Sequence, residues 1–336
     1  MTLRGAHILS TDDLSRERIE YLIQLAEQLV PYSQGIRITR VLEGAILANL
    51  FFEPSTRSRI SFGAAFNRLG GAVRDTVGIG MSSIAKGESL RDTARVISGY
   101  ADVIVMRHPE VGSVKAFAET SRVPVLNSGD GAGEHPTQAL LDVFTMVREL
   151  GSVTALDGLR LTVIGDLKYG RAVHSLVRLL ARFDRVHLMC VADPELQLPP
   201  AICSALRQAG HKVDQTSDVR AGLAHGDVVY ATRVQEERFA SPAEAKRHRG
   251  RFSIDRSLYE ASAKPGAVLM HPLPRDAREG AQELSTDLDG LEQLAIFRQT
   301  DNGISMRMAL FAAVLGVEDR VEETARESTW VARREL

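Results

Sequence analysis

Residues 51–59 place hydroxyl and guanidinium groups where a predicted strand gives way to a predicted helix. The segment reads Phe-Phe-Glu-Pro-Ser-Thr-Arg-Ser-Arg, and Pro54 bounds the short apolar run that precedes it. The first N–H groups of a helix have no partner within the helix and carry a partial positive charge, so they bind anions. Arginine adds bidentate hydrogen bonds to phosphate oxygens. These residues therefore fit a phosphate site, and they fit equally a serine-capped helix with solvated arginines.

The elements that must position this segment alternate between strands and helices. Apolar residues at helical spacing, caps and Pro136 predict helices over 14–30, 55–69, 136–150 and 305–315. Short apolar runs predict strands at 45–52, 103–106 and 123–126 and, after Gly151, at 161–164, 186–189, 228–231 and 267–270. This alternation is typical of parallel sheets with helices on both faces.

We therefore predict an α/β protein built from two doubly wound parallel-sheet domains. The length of 336 residues favours two domains over one. The first domain is predicted to span 1–149 and the second 150–302. A helix over 303–316 is expected to pack back on the first domain, and the charged tail 317–336 is expected to fray.

Composition excludes several classes of protein. Lys and Arg number 41 against 43 for Asp and Glu, and this balance argues against a general nucleic-acid binder. Cys190 and Cys203 are too few for a disulfide framework or a cysteine-based zinc site, and reduced thiols suit the cytoplasm. The polar start of the chain does not resemble a secretory signal, and no apolar run reaches membrane-spanning length. We expect a cytoplasmic protein with neither nucleic acid nor membrane as partner.

The segment 55–59 resembles the carbamoyl-phosphate loop of the aspartate and ornithine carbamoyltransferases. Six more motifs follow in the order of that family: Lys86-Gly87-Glu88, Arg107-His108-Pro109, His135-Pro136-Thr137-Gln138, 165–171, Thr232-Arg233-Val234-Gln235 and His271-Pro272-Leu273-Pro274-Arg275. One such motif would be weak evidence, but seven in order between 14 and 315 are specific. The motifs at 86–88, 165–171 and 232–235 resemble the aspartate branch. Pro272 stands where the ornithine branch has cysteine, and a Ser-Met-Gly run is missing.

The resemblance implies a transfer of the carbamoyl group from carbamoyl phosphate to the α-amine of L-aspartate. The products would be N-carbamoyl-L-aspartate and phosphate, in the second step of de novo pyrimidine (UMP) biosynthesis. The family's reaction needs no cofactor, no metal and no covalent enzyme intermediate, so the protein must position the substrates and stabilise negative charge. The active site would lie in the cleft between the domains. The family is built on trimers, so a homotrimer is expected, and a regulatory chain or a dihydroorotase partner stays open.

The motif positions assign carbamoyl phosphate to nine residues. Ser55, Thr56, Arg57 and Ser58 would bind the phosphate, Arg107 and His135 the carbonyl oxygen, and Gln138 with the backbone carbonyls of Leu273 and Pro274 the carbamoyl amino group. His135 precedes Pro136 at a predicted helix N-terminus, which is expected to lower its pKa and keep the imidazole neutral. We also predict a cis peptide bond between Leu273 and Pro274. Taken singly, these residues also fit structural roles, such as pairing of Arg107 with Glu110.

The resemblance assigns aspartate to Lys86, Arg171, Arg233 and Gln235, and the two carboxylates of aspartate call for two guanidinium groups. Arg275 would assist. The segment 78–88 is rich in glycine and serine and fits a surface loop, and the resemblance implies that Ser82 and Lys86 reach the active site of a neighbouring subunit. The catalytic set would be Thr56, Arg57, Lys86, Arg107 and His135.

The segment 276–285 departs from the resembled family. It is longer than the short acidic turn usual in the aspartate branch, which leaves the local alignment open. Three rival functions remain: a carbamoyltransferase for another amino acid, an inactive homologue that serves as a scaffold, and a simple phosphate-binding module. The arginines of the second domain argue against the last, and Arg57, Arg107, His135 and Arg233 argue against the second.

Overall fold

The computed structural model describes residues 2–78 and 87–330. The helices are α1 (Arg16–Gln28), α2 (Val30–Gln34), α3 (Thr56–Arg68), α4 (Leu90–Ile97), α5 (Ser113–Ala118), α6 (Pro136–Leu150), α7 (Arg171–Leu180), α8 (Pro200–Gln208), α9 (Val219–His225), α10 (Pro242–Lys246), α11 (Arg256–Ser262) and α12 (Ile296–Leu315). The strands are β1 (Arg37–Ile38), β2 (Ile46–Phe51), β3 (Ala72–Val77), β4 (Val103–His108), β5 (Val125–Asp130), β6 (Arg160–Gly165), β7 (His187–Val191), β8 (Lys212–Thr216), β9 (Val228–Thr232), β10 (Val268–Met270) and β11 (Arg326–Glu327).

The chain divides into two units, each built on one parallel sheet. The first unit is Met1–Phe144 with Thr300–Leu336, and the second is Thr145–Gln299. The sheet order is β3-β2-β4-β5 in the first unit and β10-β9-β6-β7-β8 in the second. All pairs in both sheets are parallel. The predicted α/β class with two parallel sheets is therefore confirmed.

The strand order of the first sheet fixes where a ligand can bind. From β2 the chain continues to β3 on one side and then to β4 on the other, so the connections reverse direction between β2 and β4. At such a switch point the loops leave the carboxyl ends of the two strands in opposite directions and open a crevice. Phe51 of β2 is in register with Arg107 of β4 at this edge. The apolar residues that make both strands central, such as Leu50 and Ile104, are buried in one core cluster.

The second sheet has its own switch point between β6 and β9. Gly165 of β6 lies opposite Thr232 of β9 at the carboxyl end. Gly165 has φ +122°, and a Cβ atom there would lie 2.0 Å from the Thr232 carbonyl oxygen. Only glycine therefore allows the two strands to end so close together. The loops 165–171 and 232–237 start from this edge.

The structure differs from the sequence predictions at several elements. β3 and β8 were not predicted, because both lie at sheet edges and polar residues interrupt their apolar pattern. The helix expected to start at about 303–305 starts at Ile296. The tail 317–336 was expected to fray. In its described part, Glu322 accepts hydrogen bonds from Arg37 and Tyr32, and β11 pairs with β1, whereas 331–336 lie outside the described residues. Charged side chains thus hold residues 318–327 against the first unit. In the described ranges, no helix is both long and apolar enough to span a membrane.

Candidate active site

The N-terminus of α3 lies immediately beyond the switch point of the first sheet. Its N-cap, Ser55, has an extended backbone with φ −163°, and within the described ranges its side chain does not cap the helix. The structure therefore does not support the alternative in which the Ser55 side chain caps this helix. Thr56 and Arg57 are exposed, and Ser58 is partly exposed. A 13-residue helix directs its positive end at this point, which suits a phosphate.

Arg107 lies at the end of β4, and its side chain is 14 % exposed. Its Nε donates to Oε2 of Glu53 over 3.0 Å. The pair with Glu53 forms because the strand register brings the end of β4 against the end of β2. A guanidinium has five N–H donors, so a bond to Glu53 is compatible with contacts to a substrate oxyanion. Glu53 stands in the first motif, but its spacing gave no signal of this pairing.

His135 is the N-cap residue of α6. It is buried, and its carbonyl oxygen accepts hydrogen bonds from the amides of Gln138 and Ala139 at 3.0 and 3.1 Å. Its ring Nδ1 lies 3.3 Å from Oγ1 of Thr137. The Gly131 amide donates to the His108 carbonyl over 2.8 Å, so the loop that carries His135 starts beside the end of β4. The first unit therefore brings His135, Arg107 and the start of α3 to one edge of its sheet.

Gln138 is oriented by a buried carboxylate one turn further along α6. Its Nε2 donates to Oδ1 of Asp142 over 2.9 Å, and Asp142 is fully buried. With its amino group committed to Asp142, the side chain presents its carbonyl oxygen to an approaching donor. A carbamoyl NH₂ is such a donor.

Arg307 connects α3 with α6, the helix that carries Gln138 and Asp142. It is buried in α12, donates through Nη1 to Oγ of Ser61 over 2.9 Å, and lies 4.7 Å from the centre of the Phe62 ring. Burial lowers the pKa of Arg307 to about 10, and the negative charge of Asp142 opposes this shift. Sequence reasoning missed Arg307, although an arginine in the apolar face of a helix was a usable signal.

Asp166 joins the two loops at the switch point of the second sheet. It is fully buried and accepts hydrogen bonds from the amides of Tyr169 at 3.0 Å and Gln235 at 2.9 Å. Burial raises the pKa of Asp166, while the backbone hydrogen bonds, including the one from Gln235, lower it. These bonds fix the loop before Arg171 against the loop that carries Gln235. The motif contained Asp166, but its role as a link follows only from the fold.

Arg233 and Arg171 leave the carboxyl ends of neighbouring strands. Arg233 donates to both carboxylate oxygens of Glu237, at 3.1 and 2.6 Å. Gln235 donates from Nε2 to the Arg233 carbonyl over 3.3 Å. Arg171 is the first residue of α7, after Gly170. Both arginines therefore belong to loops or helix starts at the switch point of the second sheet, and the Arg233 guanidinium is paired with Glu237 there.

The turn 271–274 follows β10 and is organised by His271. Nδ1 of His271 accepts from the Leu273 amide over 2.8 Å, and its Nε2 lies 2.8 Å from Oε1 of Glu283. Leu273 has φ +55°, a left-handed conformation that non-glycine residues adopt at a cost. The Leu273–Pro274 peptide bond is cis, which confirms that prediction. Arg275 donates to both carboxylate oxygens of Asp289, at 2.6 and 3.2 Å.

The ligand-type cluster found among residues 2–78 and 87–330 does not suit a metal. Asp193, Glu195 and His248 approach one another closely enough to share an ion. However, Arg251 donates to the same Asp193 oxygen that faces His248, so a positive charge already neutralises that carboxylate.

Ser82 and Lys86, assigned above to a shared site, lie outside the described residues.

Comparison with known proteins gives matches along most of the chain. Residues 6–148 match the carbamoyl-phosphate-binding domain of aspartate/ornithine carbamoyltransferases, and residues 157–314 match their Asp/Orn-binding domain. An aspartate carbamoyltransferase catalytic subunit from Cellvibrio japonicus is 56 % identical over 98 % of both chains. Aspartate transcarbamoylase from Trypanosoma cruzi, solved with carbamoyl aspartate and phosphate, is 40 % identical with a TM-score of 0.86 and covers 93 % of this chain and 97 % of its own. The catalytic subunit of aspartate transcarbamoylase from M. jannaschii is 42 % identical with a TM-score of 0.83, over 94 % of this chain and 98 % of its own.

Proposed function

The chain belongs to the aspartate/ornithine carbamoyltransferase family, and from that premise we propose which of its residues carry the reaction. It transfers the carbamoyl group of carbamoyl phosphate to the α-amine of L-aspartate, giving N-carbamoyl-L-aspartate and phosphate. One observation carries the assignment of residues. Each unit presents anion-binding groups at the switch point of its own sheet, one set suited to a phosphate and the other to a dicarboxylate.

The phosphate of carbamoyl phosphate binds at the N-terminus of α3. Ser55, Thr56 and Ser58 supply hydroxyl and backbone donors, and Arg57 supplies a bidentate guanidinium. The dianionic leaving phosphate gains charge on its bridging oxygen as the C–O bond breaks. Groups that stabilise this charge lower the barrier for the transfer.

The carbonyl oxygen of the carbamoyl group is polarised by Arg107 and His135. As the aspartate nitrogen attacks the carbonyl carbon, a C–N bond forms and negative charge develops on this oxygen. His135 donates a hydrogen bond from its ring to this oxygen. The carbonyl then re-forms, the bond to phosphate breaks, and the proton of the amine nitrogen passes to an oxygen of the departing phosphate.

The carbamoyl amino group is held by acceptors. Oε1 of Gln138, fixed by Asp142, accepts one N–H, and the carbonyl oxygens of Leu273 and Pro274 accept the other. The two carboxylates of aspartate bind Arg171 and Arg233, with Gln235 and Lys86 completing the set. We assign carbamoyl phosphate to a domain of residues 1–149 and aspartate to residues 150–302.

The assembly and the pathway are part of the same proposal. We infer a homotrimer in which Ser82 and Lys86 of one subunit complete the site of its neighbour, working in the cytoplasm on pyrimidine synthesis. Lysine on such a loop supplies a positive charge to two anionic substrates at once.

Colorimetric detection of carbamoyl aspartate tests the proposed residues. The purified chain, incubated with carbamoyl phosphate and L-aspartate, should form product, and His135→Ala should lower turnover strongly while the circular-dichroism spectrum stays unchanged. Lys115→Ala, on α5 and outside the proposed site, is the matched control and should keep wild-type turnover. Wild-type turnover in a folded His135→Ala chain would refute the role of His135.

A further inference from the structure

Glu236 directly follows Gln235, and two arginines fix its carboxylate. Arg249 donates from Nε to Oε1 and from Nη2 to Oε2, both over 2.6 Å. Arg278 donates from Nη2 to Oε1 over 2.6 Å and from Nη1 to Oε2 over 3.2 Å. The Glu236 side chain is only 21 % exposed. We call these three residues the arginine clamp.

The clamp joins three segments of the second unit that are separate in sequence. Glu236 begins a 3₁₀ turn after β9, Arg249 follows α10, and Arg278 lies in the segment 276–285 after the turn 271–274. The backbones of the last two segments also meet. Gly250 has φ +63°, and a Cβ atom there would lie 2.5 Å from the Gly280 carbonyl oxygen, so the contact requires glycine.

A second set of bonds connects the clamp to the turn 271–274. Arg278 donates from Nε to Oδ1 of Asp276 over 2.9 Å. The Asp276 amide donates to both carboxylate oxygens of Glu283 at 3.2 Å, and Glu283 lies beside His271. Arg278 therefore binds Glu236, the neighbour of Gln235, and also Asp276. Asp276 leads through Glu283 to His271, which orders the turn 271–274.

The charges of the arginine clamp together with Asp276 balance. Two carboxylates, Glu236 and Asp276, face two guanidinium groups, Arg249 and Arg278. Hydrogen bonds from Arg249 and then Arg278 lower the pKa of Glu236 to about 2, so Glu236 is ionised at any pH at which the protein works. A lone exposed ion pair contributes little, but bidentate pairs within a network are the exception.

We propose that the arginine clamp is a positioning device for aspartate, in which Arg278 of the segment 276–285 holds Glu236 and thereby fixes the adjoining Gln235 and Arg233. This inference rests on the proposed function, which assigns Arg233 and Gln235 to aspartate. It gives a role to the segment in which this chain departs from the family pattern. None of the three clamp residues is required to touch substrate.

The test compares steady-state constants of Glu236→Gln, Arg278→Ala and Arg278→Lys with the wild type. Loss of Arg278 should raise KM for aspartate about tenfold, because one charge-assisted contact is lost from the loop, while KM for carbamoyl phosphate changes less than about twofold. Arg278→Lys keeps the charge but loses the bidentate geometry and should recover only part of the affinity. The double variant Glu236→Gln/Arg278→Ala should be no worse than the single variants.

A matched control and an independent readout separate positioning from folding. Arg256→Ala removes an arginine of comparable exposure, 47 % against 53 % for Arg278, that pairs with Glu260 in the same unit, and it should leave both KM values unchanged. Amide hydrogen exchange at residues 234–238 should speed up in Arg278→Ala but not in Arg256→Ala.

Unchanged KM for aspartate in a folded Arg278→Ala chain, or equal rises in both KM values, would overturn the clamp alone. A wild-type chain that makes no carbamoyl aspartate would overturn the proposed function and the clamp with it.

Discussion

Nε of Arg107 lies 3.0 Å from Oε2 of Glu53, at the ends of two neighbouring parallel strands. The side chains are 14 % and 22 % exposed, so neither charge is fully solvated. The pair thus has a structural role as well as the catalytic role proposed for Arg107. A single variant of Arg107 and a double variant with Glu53 distinguish the structural role from the catalytic role.

Arg107→Met should destabilise the fold because it removes the guanidinium that pairs with the partly buried Glu53 carboxylate. We expect a loss of about 1–3 kcal/mol in the free energy of unfolding, measured by urea denaturation. The double variant Glu53→Gln/Arg107→Met should recover most of this stability while its turnover stays low. Recovery of turnover in the double variant would show that Arg107 acts only as the partner of Glu53.

Arg57→Ala should weaken carbamoyl phosphate binding. The guanidinium contacts the phosphate in the ground state and in the transition state, so KM should rise and kcat should fall, by about 1.5–3 kcal/mol in total. Arg59→Ala, two residues further along the same helix, is the control and should have the smaller effect. Equal effects of the two substitutions would assign the phosphate site to general positive charge.

The free energy of unfolding should fall as the pH drops below about 6.5. Burial lowers the pKa of several histidines below this ordinary value: His7, His108, His174, His225 and His271. Between the lowered folded pKa and 6.5 the unfolded chain binds more protons, so stability is lost as the pH falls through that window. Urea midpoints at fixed protein concentration should decrease from pH 7 to pH 5.5. A midpoint that stays level or rises would contradict these pKa directions.

The sharing of active sites between subunits can be tested with hybrid trimers. A Lys86→Ala chain keeps an intact His135, and a His135→Ala chain keeps an intact Lys86. Refolding the two variants together should recover activity that neither recovers alone. If mass measurement confirms hybrid trimers and activity stays absent, Lys86 does not act across the subunit interface.

The central strands could be predicted from sequence because burial on both faces requires continuous apolar runs. β2 and β9 lie within one residue of their predicted bounds. β3 and β8 could not be predicted in this way, since edge strands tolerate polar residues, such as Arg74 and Asp75 of β3. The ordered part of the tail could not be predicted either, because the residues that donate to Glu322 lie far away in sequence.

The site shows the same division. Motif spacing identified the groups proposed to contact substrates, such as Arg57 and Gln138. It did not identify the carboxylates that hold those groups, because Asp142, Asp166 and Glu53 acquire their roles from strand order and helix packing. A pairing partner is a property of the fold, whereas a substrate-binding motif is a local pattern.

Competition between amino acids tests the central claim most directly. The purified chain is incubated with ¹³C-labelled carbamoyl phosphate and equal concentrations of L-aspartate and L-ornithine, and both carbamoylated products are measured by mass spectrometry. We expect labelled N-carbamoyl-L-aspartate as the dominant product, formed in proportion to the phosphate released. Labelled citrulline as the main product, or release of phosphate without labelled carbamoyl aspartate, would contradict it.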